Sequence, residues 1–212
     1  MEFCNLAGVV RGHNPRLAPL LVGSHYDSAI PAPSADDNAA AIAISLAAGE
    51  FVTDEEALTR DLVIAIFDAE EPPYFQSPSM GSRRFWHDQC ERPIHAPIVM
   101  DLVGHDVGIN SSMLGRVPGV GALTKLPGLG DRDIPLPLLH PLLFVTGTES
   151  HRGMGEVLEA AGVAKGLKLV PTLNRYVGDM GDHGVFRENG VPYFFLSCGR
   201  GTTTGRPTPR SG

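Results

Sequence analysis

Residues 62–71 read LVIAIFDAEE, an unbroken apolar run of six residues followed at once by acids at three of the next four positions. Such a run predicts a strand that is buried on both faces, as the inner strands of parallel sheets are. Similar runs occur at residues 97–102 (PIVMDL) and 191–196 (VPYFFL), and helix-like segments at residues 38–52 and 149–164 alternate with the strands. The pattern predicts an α/β three-layer sandwich, in which helices cover both faces of a mostly parallel mixed sheet.

Shorter segments complete the predicted fold. Two apolar runs, residues 6–10 and 19–22, flank the polar stretch RGHNPRLA and predict a β-hairpin. Residues 182–189 predict a short helix, with Asp182 as its N-cap and Gly190 as its stop.

Composition excludes several functional classes. The chain has 212 residues, of which 42% are hydrophobic and 19% charged, values typical of a folded domain. Acidic residues outnumber basic ones by 24 to 17, and the net charge of −7 argues against nucleic acid as the main partner. No apolar run is long enough for a membrane span, and the three cysteines form neither a disulfide framework nor a zinc-binding motif. The composition leaves the oligomeric state open.

Acidic side chains and one histidine lie where the predicted strands end or the first long helix begins. The full set consists of His25, Asp27, Asp36, Asp37, Glu70, Glu71 and Asp101. In open α/β sheets, ligands bind outside the carboxyl ends of the strands. Carboxylates gathered at that edge repel one another unless a cation neutralises them, and mixed nitrogen and oxygen ligands suit zinc.

Each of these motifs also has a simpler interpretation. Paired acids before a helix, such as Asp36 and Asp37, are more often helix caps, and a Glu-Glu pair after a strand is usually solvated surface. Asp101 is the most informative residue because it follows an apolar run, and a buried carboxylate without a partner is unfavourable. The occurrence of all the clusters at predicted strand and helix ends favours a metal site over chance.

The motifs GSHYDS, SADDNAAAIA, IFDAEE, MGSRRF and VMDL, in this order, resemble those of the co-catalytic zinc aminopeptidases. That family includes bacterial leucyl aminopeptidases, glutamate carboxypeptidase II and the glutaminyl cyclases. The resemblance extends over residues 6–199 and implies a zinc-dependent exopeptidase, most directly an aminopeptidase that removes N-terminal residues from peptides. Three alternatives stay open: a carboxypeptidase, a glutaminyl cyclase on the same scaffold, or a relative that only binds peptides or partner proteins.

The resemblance implies a set of metal ligands. Asp36 would bridge two zinc ions. His25 and Asp101 would complete the protein ligands of one ion, and Glu71 would bind the other. Family members often carry a cis peptide bond after the bridging aspartate, which makes the Asp36–Asp37 bond the candidate here.

The resemblance also implies roles for residues around the ions. Glu70 would be the general base that takes a proton from the attacking water. Asp27 would accept the free ring N–H of His25 and so fix its tautomer. His183, in the segment GDHGVF, would line the wall of the site and contact the substrate.

The end of the chain departs from the family pattern. Family members place a last metal-binding histidine in a Tyr-His-x-Pro-x-Asp-Thr segment after the final strand, whereas residues 201–212 read GTTTGRPTPRSG. Threonine codons read one base earlier encode His, Tyr, Asp or Asn, and this reading places the missing histidine at Thr204. We therefore hypothesise a one-base frameshift near Arg200, which sequencing of the gene would test.

These observations predict the domain organisation. Residues 1–199 are expected to form a zinc peptidase core that is incomplete at both ends, and residues 200–212 a frameshifted, disordered tail. No secretory signal is visible at the start of the sequence, so cytoplasmic is the default location, although a truncated N-terminus would also remove such a signal.

Overall fold

The computed structural model describes residues 3–29, 33–54, 58–104, 142–165 and 168–199. Within these residues, seven strands form one mixed sheet in the order β1-β3-β2-β4-β7-β5-β6. The strands are β1 (Leu6–Val10), β2 (Leu20–His25), β3 (Leu62–Phe67), β4 (Ala96–Met100), β5 (Leu142–Thr146), β6 (Lys168–Thr172) and β7 (Phe194–Ser197).

Helices of very different lengths connect the strands. They are α1 (Ala40–Asp54), α2 (Gly81–Arg84), α3 (Met154–Lys165), α4 (Asn174–Val177) and α5 (His183–Glu188). Single helical turns also form at Ala35–Ala39, Phe85–Gln89 and Thr148–Ser150. None of the helices in the described ranges is long and apolar enough to cross a membrane. The predicted tail, residues 200–212, lies outside the described residues.

Strand β2 lies at the centre of the part of the sheet that carries the acidic motifs. It pairs in parallel with β3 on one side and with β4 on the other, so that His25 lies opposite Phe67 and Gly23 opposite Val99. The predicted hairpin of β1 and β2 is wrong, because β1 pairs antiparallel with β3 instead. The apolar β3 therefore has a neighbouring strand along each edge, β1 on one side and β2 on the other. Strand β1 is the edge strand of the sheet.

Side chains of neighbouring residues on β2 enter different cores on opposite faces of the sheet. Leu21 belongs to a core that also contains Phe67 and Phe186 of α5. Val22 belongs to a second core with Met100 and with Ala41 of α1. Because both faces of the sheet are covered by helices, the predicted α/β sandwich is confirmed. The carboxyl ends of β2, β3 and β4 consequently meet at one edge, between the two helical layers.

Candidate metal centre

His25 is the last residue of β2, and carboxylates surround its buried imidazole ring. The residue is 1% exposed. Its Nε2 atom lies 3.2 Å from Oδ1 of Asp37 and 3.5 Å from Oδ1 of Asp101. On the other side of the ring, Nδ1 lies 3.3 Å from Oδ1 of Asp27. The imidazole is therefore flanked by acids on both of its nitrogen edges.

His25, Asp37 and Asp101 form a group that could hold a metal ion. One ligand atom from each residue lies within 4.8 Å of the others. His25 Nε2, Asp37 Oδ1 and Asp101 Oδ1 are all buried, and although Nε2 lies within 3.5 Å of both oxygens, none of the three makes a well-aligned hydrogen bond among the described residues. Buried polar atoms are nearly always partnered, so three such atoms facing one another fit a cation between them. One nitrogen and two carboxylate oxygens are a donor set that suits zinc.

The structure brings Asp37, rather than the predicted Asp36, into this group. The two side chains diverge in the turn Ala35–Ala39, where Asp37 (φ −117°, ψ 84°) leaves the helical conformation. The Asp36 carboxylate instead accepts a hydrogen bond from the Gly104 N–H at 2.7 Å. A Cβ on Gly104 would lie 2.8 Å from the Cβ of Ala40, so the close approach requires glycine there.

The cis peptide bond is also displaced by one residue from its predicted position. It joins Asp37 to Asn38, not Asp36 to Asp37. Asn38 is buried, and its side-chain amide donates a hydrogen bond to the carbonyl oxygen of Met100 at 3.0 Å. This bond holds the turn before α1 against the last residue of β4, directly before Asp101.

Asp27 connects the end of β2 to the acidic pair that follows β3. Its carboxylate oxygens accept hydrogen bonds from the backbone N–H groups of Glu70 (3.1 Å) and Glu71 (2.9 Å). Burial would raise the pKa of Asp27, but His25 and these two N–H groups more than offset the effect and lower it. Asp27 therefore stays ionised and holds both neighbouring segments in place.

Glu70 and Glu71 lie in different environments although they are adjacent in the sequence. Glu70 is 5% exposed, and its Oε2 lies 3.9 Å from His25 Nε2. Glu71 is only partly buried and does not belong to the three-residue group. Burial, with Asp37 as the next cause, raises the pKa of Glu71. The structure thus places Glu70 beside the candidate metal position, and Glu71 is the more exposed of the two.

The site as a whole has more carboxylates than cationic groups, and it therefore favours the binding of protons or of a cation. Burial would lower the pKa of His25, but the carboxylates of Asp101, Asp27 and Asp37 outweigh it and raise that pKa far above its ordinary value. Burial, and then the negative charge of Asp182, raise the pKa of Glu70 to about 9. A cluster that binds protons this tightly has excess negative charge, which a bound cation would neutralise.

Asp182 belongs to the site although the sequence predicts it to be a helix cap. Its side chain makes no capping hydrogen bond to α5 and is 2% exposed. Burial raises its pKa to about 7, and the charges of Asp101 and Asp27 act in the same direction. The sequence predicts a site residue in the segment GDH, but that residue is His183 rather than Asp182.

His183 is the first residue of α5 and is completely buried. Its ring stacks on Phe195, with ring centres 4.2 Å apart, and on Tyr193 at 5.5 Å. Its Nε2 atom lies 3.3 Å from the side-chain Oδ1 of Asn174 and 3.3 Å from the backbone carbonyl oxygen of Gly178, and its N–H donates to them. Burial lowers the pKa of His183 to about 4, which keeps the ring neutral. Its role as a wall residue that contacts the substrate stays a prediction.

A family model matches the part of the chain that carries the candidate metal centre. The model of peptidase family M28 matches residues 5–125, more than half of the chain. The chain belongs to peptidase family M28. The predicted resemblance to zinc aminopeptidases and glutaminyl cyclases is thereby confirmed, and the matched range includes His25, Asp37, Glu70 and Asp101.

Individual proteins similar to this M28 chain are longer than it is. The chain is 32% identical over 172 residues to the uncharacterized protein YfbL of Escherichia coli (strain K12), and the match covers 66% of this chain and 53% of that protein. A zinc aminopeptidase from Bacillus subtilis has a similar structure, with a TM-score of 0.61 and 19% identity over 96% of this chain and 42% of the enzyme. A glutaminyl cyclase from Porphyromonas gingivalis has a TM-score of 0.61 and 15% identity over 91% of this chain and 60% of the cyclase. At these identities the two structures establish the fold alone, and the chain spans about half the length of the relatives it matches.

Proposed function

We propose that this chain carries the catalytic site of a zinc-dependent exopeptidase, an aminopeptidase that removes N-terminal residues from peptides. The observation that carries the proposal is the group of three buried ligand atoms on His25, Asp37 and Asp101, with the Glu70 carboxylate beside them. A zinc ion held there would lower the pKa of a water molecule and stabilise negative charge on a substrate carbonyl oxygen.

Glu70 would perform the proton transfers of the reaction. Its carboxylate accepts a proton from the attacking water as the water oxygen bonds to the scissile carbonyl carbon. When the C–N bond breaks, the same group returns that proton to the leaving amine. Its position 3.9 Å from His25 Nε2 and its burial support this role, because a base shielded from solvent keeps the proton for the second transfer.

The family resemblance implies two zinc ions, and we propose a second ion held by Asp37 and Glu71. The negative charge of Asp37 contributes to the raised pKa of Glu71, so the two carboxylates are close enough to interact. The described residues supply the complete three-atom group for the first ion only. The two ion positions are therefore expected to differ in affinity, with the site at His25 filled first.

The test compares zinc-loaded protein on L-leucine p-nitroanilide and on its N-acetylated form. An aminopeptidase requires the free α-amine and is expected to cleave only the first substrate, with activity lost after chelation of zinc and regained when zinc is returned. Cleavage of both substrates, or of neither, would contradict the proposal. A third substrate with an N-terminal glutamine identifies a glutaminyl cyclase, because cyclisation releases ammonia without hydrolysing a peptide bond.

A further inference from the structure

Asp68 joins several segments at the end of β3 although it has no place in the reaction described above. It follows the last residue of the strand and is 9% exposed. Its backbone N–H donates to Oδ1 of Asn5 at 3.0 Å, and its carbonyl oxygen accepts from the Gly81 N–H at 2.8 Å. These bonds tie the residue to the segment that precedes β1 and to the first residue of α2.

The Asp68 carboxylate makes three further hydrogen bonds. Oδ2 accepts from the hydroxyl of Tyr26 at 2.8 Å and from the backbone N–H of Cys4 at 2.9 Å, and Oδ1 accepts from the N–H of Ala69 at 2.8 Å. Burial and the adjacent Asp68 carboxylate raise the pKa of Tyr26 to about 12, so the phenol stays protonated and donates. Tyr26 lies between His25 and Asp27, which connects this carboxylate directly to the end of β2.

The chain turns sharply between Asp68 and Glu70. Ala69 has a φ of +53°, a left-handed conformation that is unfavourable for a residue with a Cβ. The bond from its own N–H to the Asp68 carboxylate stabilises this turn on one side. The bonds from the N–H groups of Glu70 and Glu71 to Asp27 hold it on the other. The position of the Glu70 side chain therefore depends on two carboxylates, one before the turn and one opposite it.

We propose that Asp68, with Tyr26, is a positioning residue that sets the Glu70 carboxylate against the metal-binding group. The proposal rests on the function proposed for Glu70, but Asp68 itself touches neither the substrate nor the ion. Among the described residues the carboxylate has no cationic partner, and two of its three donors, the Tyr26 hydroxyl and the Ala69 N–H, belong to the residues directly before Asp27 and Glu70. Removing one acceptor oxygen would leave a buried donor unpaired and release the turn.

The test substitutes Asp68→Asn in the full chain, with Asp88→Asn as the matched control. Asp88 is an exposed acid that pairs with Arg84 at 2.7 Å. We expect the backbone N–H groups of Glu70 and Glu71 to exchange with solvent at least ~10-fold faster in Asp68→Asn, measured by NMR, although their acceptor is Asp27. We expect kcat on L-leucine p-nitroanilide to fall ~10- to 100-fold with KM within ~2-fold, because a displacement of about 1 Å is enough for such a loss. Zinc affinity is expected to stay unchanged.

Each outcome decides for or against the proposal. Unchanged exchange at Glu70 and Glu71 would overturn it, as would a loss of zinc affinity in parallel with kcat, which indicates a general loss of structure. If Asp68→Asn does not fold, Tyr26→Phe removes one of the same hydrogen bonds from a half-exposed residue and is expected to give the same changes at smaller size. If the unsubstituted protein hydrolyses no substrate, the proposed function fails, and the exchange measurement still decides whether Asp68 positions the turn.

Discussion

Glu70 combines the two properties that a proton carrier in hydrolysis needs. It is shielded from solvent, and its carboxylate lies next to the atoms that would hold the ion. In the ion-free protein, burial and the charge of Asp182 keep Glu70 protonated at neutral pH. A cation at His25 would offset the surrounding negative charge and favour the ionised carboxylate, which is the form that accepts a proton from water.

Replacement of Glu70 by Gln should separate catalysis from metal binding. Glutamine fills the same volume but accepts no proton at neutral pH, so we expect kcat to fall by ~10²–10⁴ while zinc stays bound. Glu50→Gln, on the exposed side of α1, is the matched control and should leave kcat unchanged. Measurement of zinc content and turnover on the same samples checks this; wild-type turnover by Glu70→Gln would remove Glu70 from the reaction.

The stability of the zinc-free protein should fall as pH rises from about 5 to about 9. The pKa values of Glu70 (about 9) and Asp182 (about 7) are raised by folding, so the unfolded chain releases these protons at lower pH than the native state does. The raised pKa of His25 acts in the same direction above pH 6.5, because the unfolded imidazole loses its proton there first.

Thermal unfolding in a chelator at pH 5, 7 and 9 measures this slope. We expect Tm to decrease across the series and Glu70→Gln to decrease the slope, since an amide does not titrate. A stability that rises with pH over this range would show that the buried acids are ionised without cost in the native state.

The sequence could identify the acids of the site but not which of two neighbours faces it. Asp36 and Asp37 are the same residue type one position apart, and the dihedral angles of the turn decide which carboxylate approaches His25. The place of Asp182 in the site could not be predicted from the sequence, for a related reason. An aspartate directly before a helix usually caps it, and only tertiary packing shows that this one is buried and makes no capping bond.

At the scale of elements, β2 determines the geometry of the site. It contributes His25 at its end and Asp27 just beyond, and it has parallel neighbours on both sides. Long apolar runs made β3 and β4 predictable, because only a fully covered strand tolerates them. The pairing of β1 was not predictable from local sequence, since a hairpin and an edge strand of the same composition look alike.

Leu21→Ala in β2 should destabilise the whole fold. Leu21 is fully buried, so its truncation leaves a cavity between β2 and the helices that cover it and should lower the free energy of unfolding by ~2–5 kcal/mol. The matched control is Leu46→Ala on α1, where the side chain is 56% exposed and the expected cost is below ~1 kcal/mol. Urea denaturation measures both; equal costs would contradict the assignment of the core.

At the scale of the whole molecule, the order of the strands explains why residues far apart in sequence meet. Parallel pairing of β2, β3 and β4 brings their carboxyl ends to one edge, where the ends carry His25, Glu70 and Asp101. The turn Ala35–Ala39, directly before α1, brings Asp37 to the same place. The chain spans about half the length of the relatives it matches, yet all four residues lie within the range that the family model matches.

The most direct test of the account is a calorimetric zinc titration of the wild-type protein, Asp37→Asn and Asp36→Asn. Both variants remove one negative charge from neighbouring positions, so they differ only in which side chain faces His25. We predict tight binding of zinc to the wild type and to Asp36→Asn, and a loss of ~10-fold or more in affinity for Asp37→Asn, since a neutral amide replaces a direct ligand. Equal affinities for the two variants, or a greater loss in Asp36→Asn, would contradict the metal centre described here.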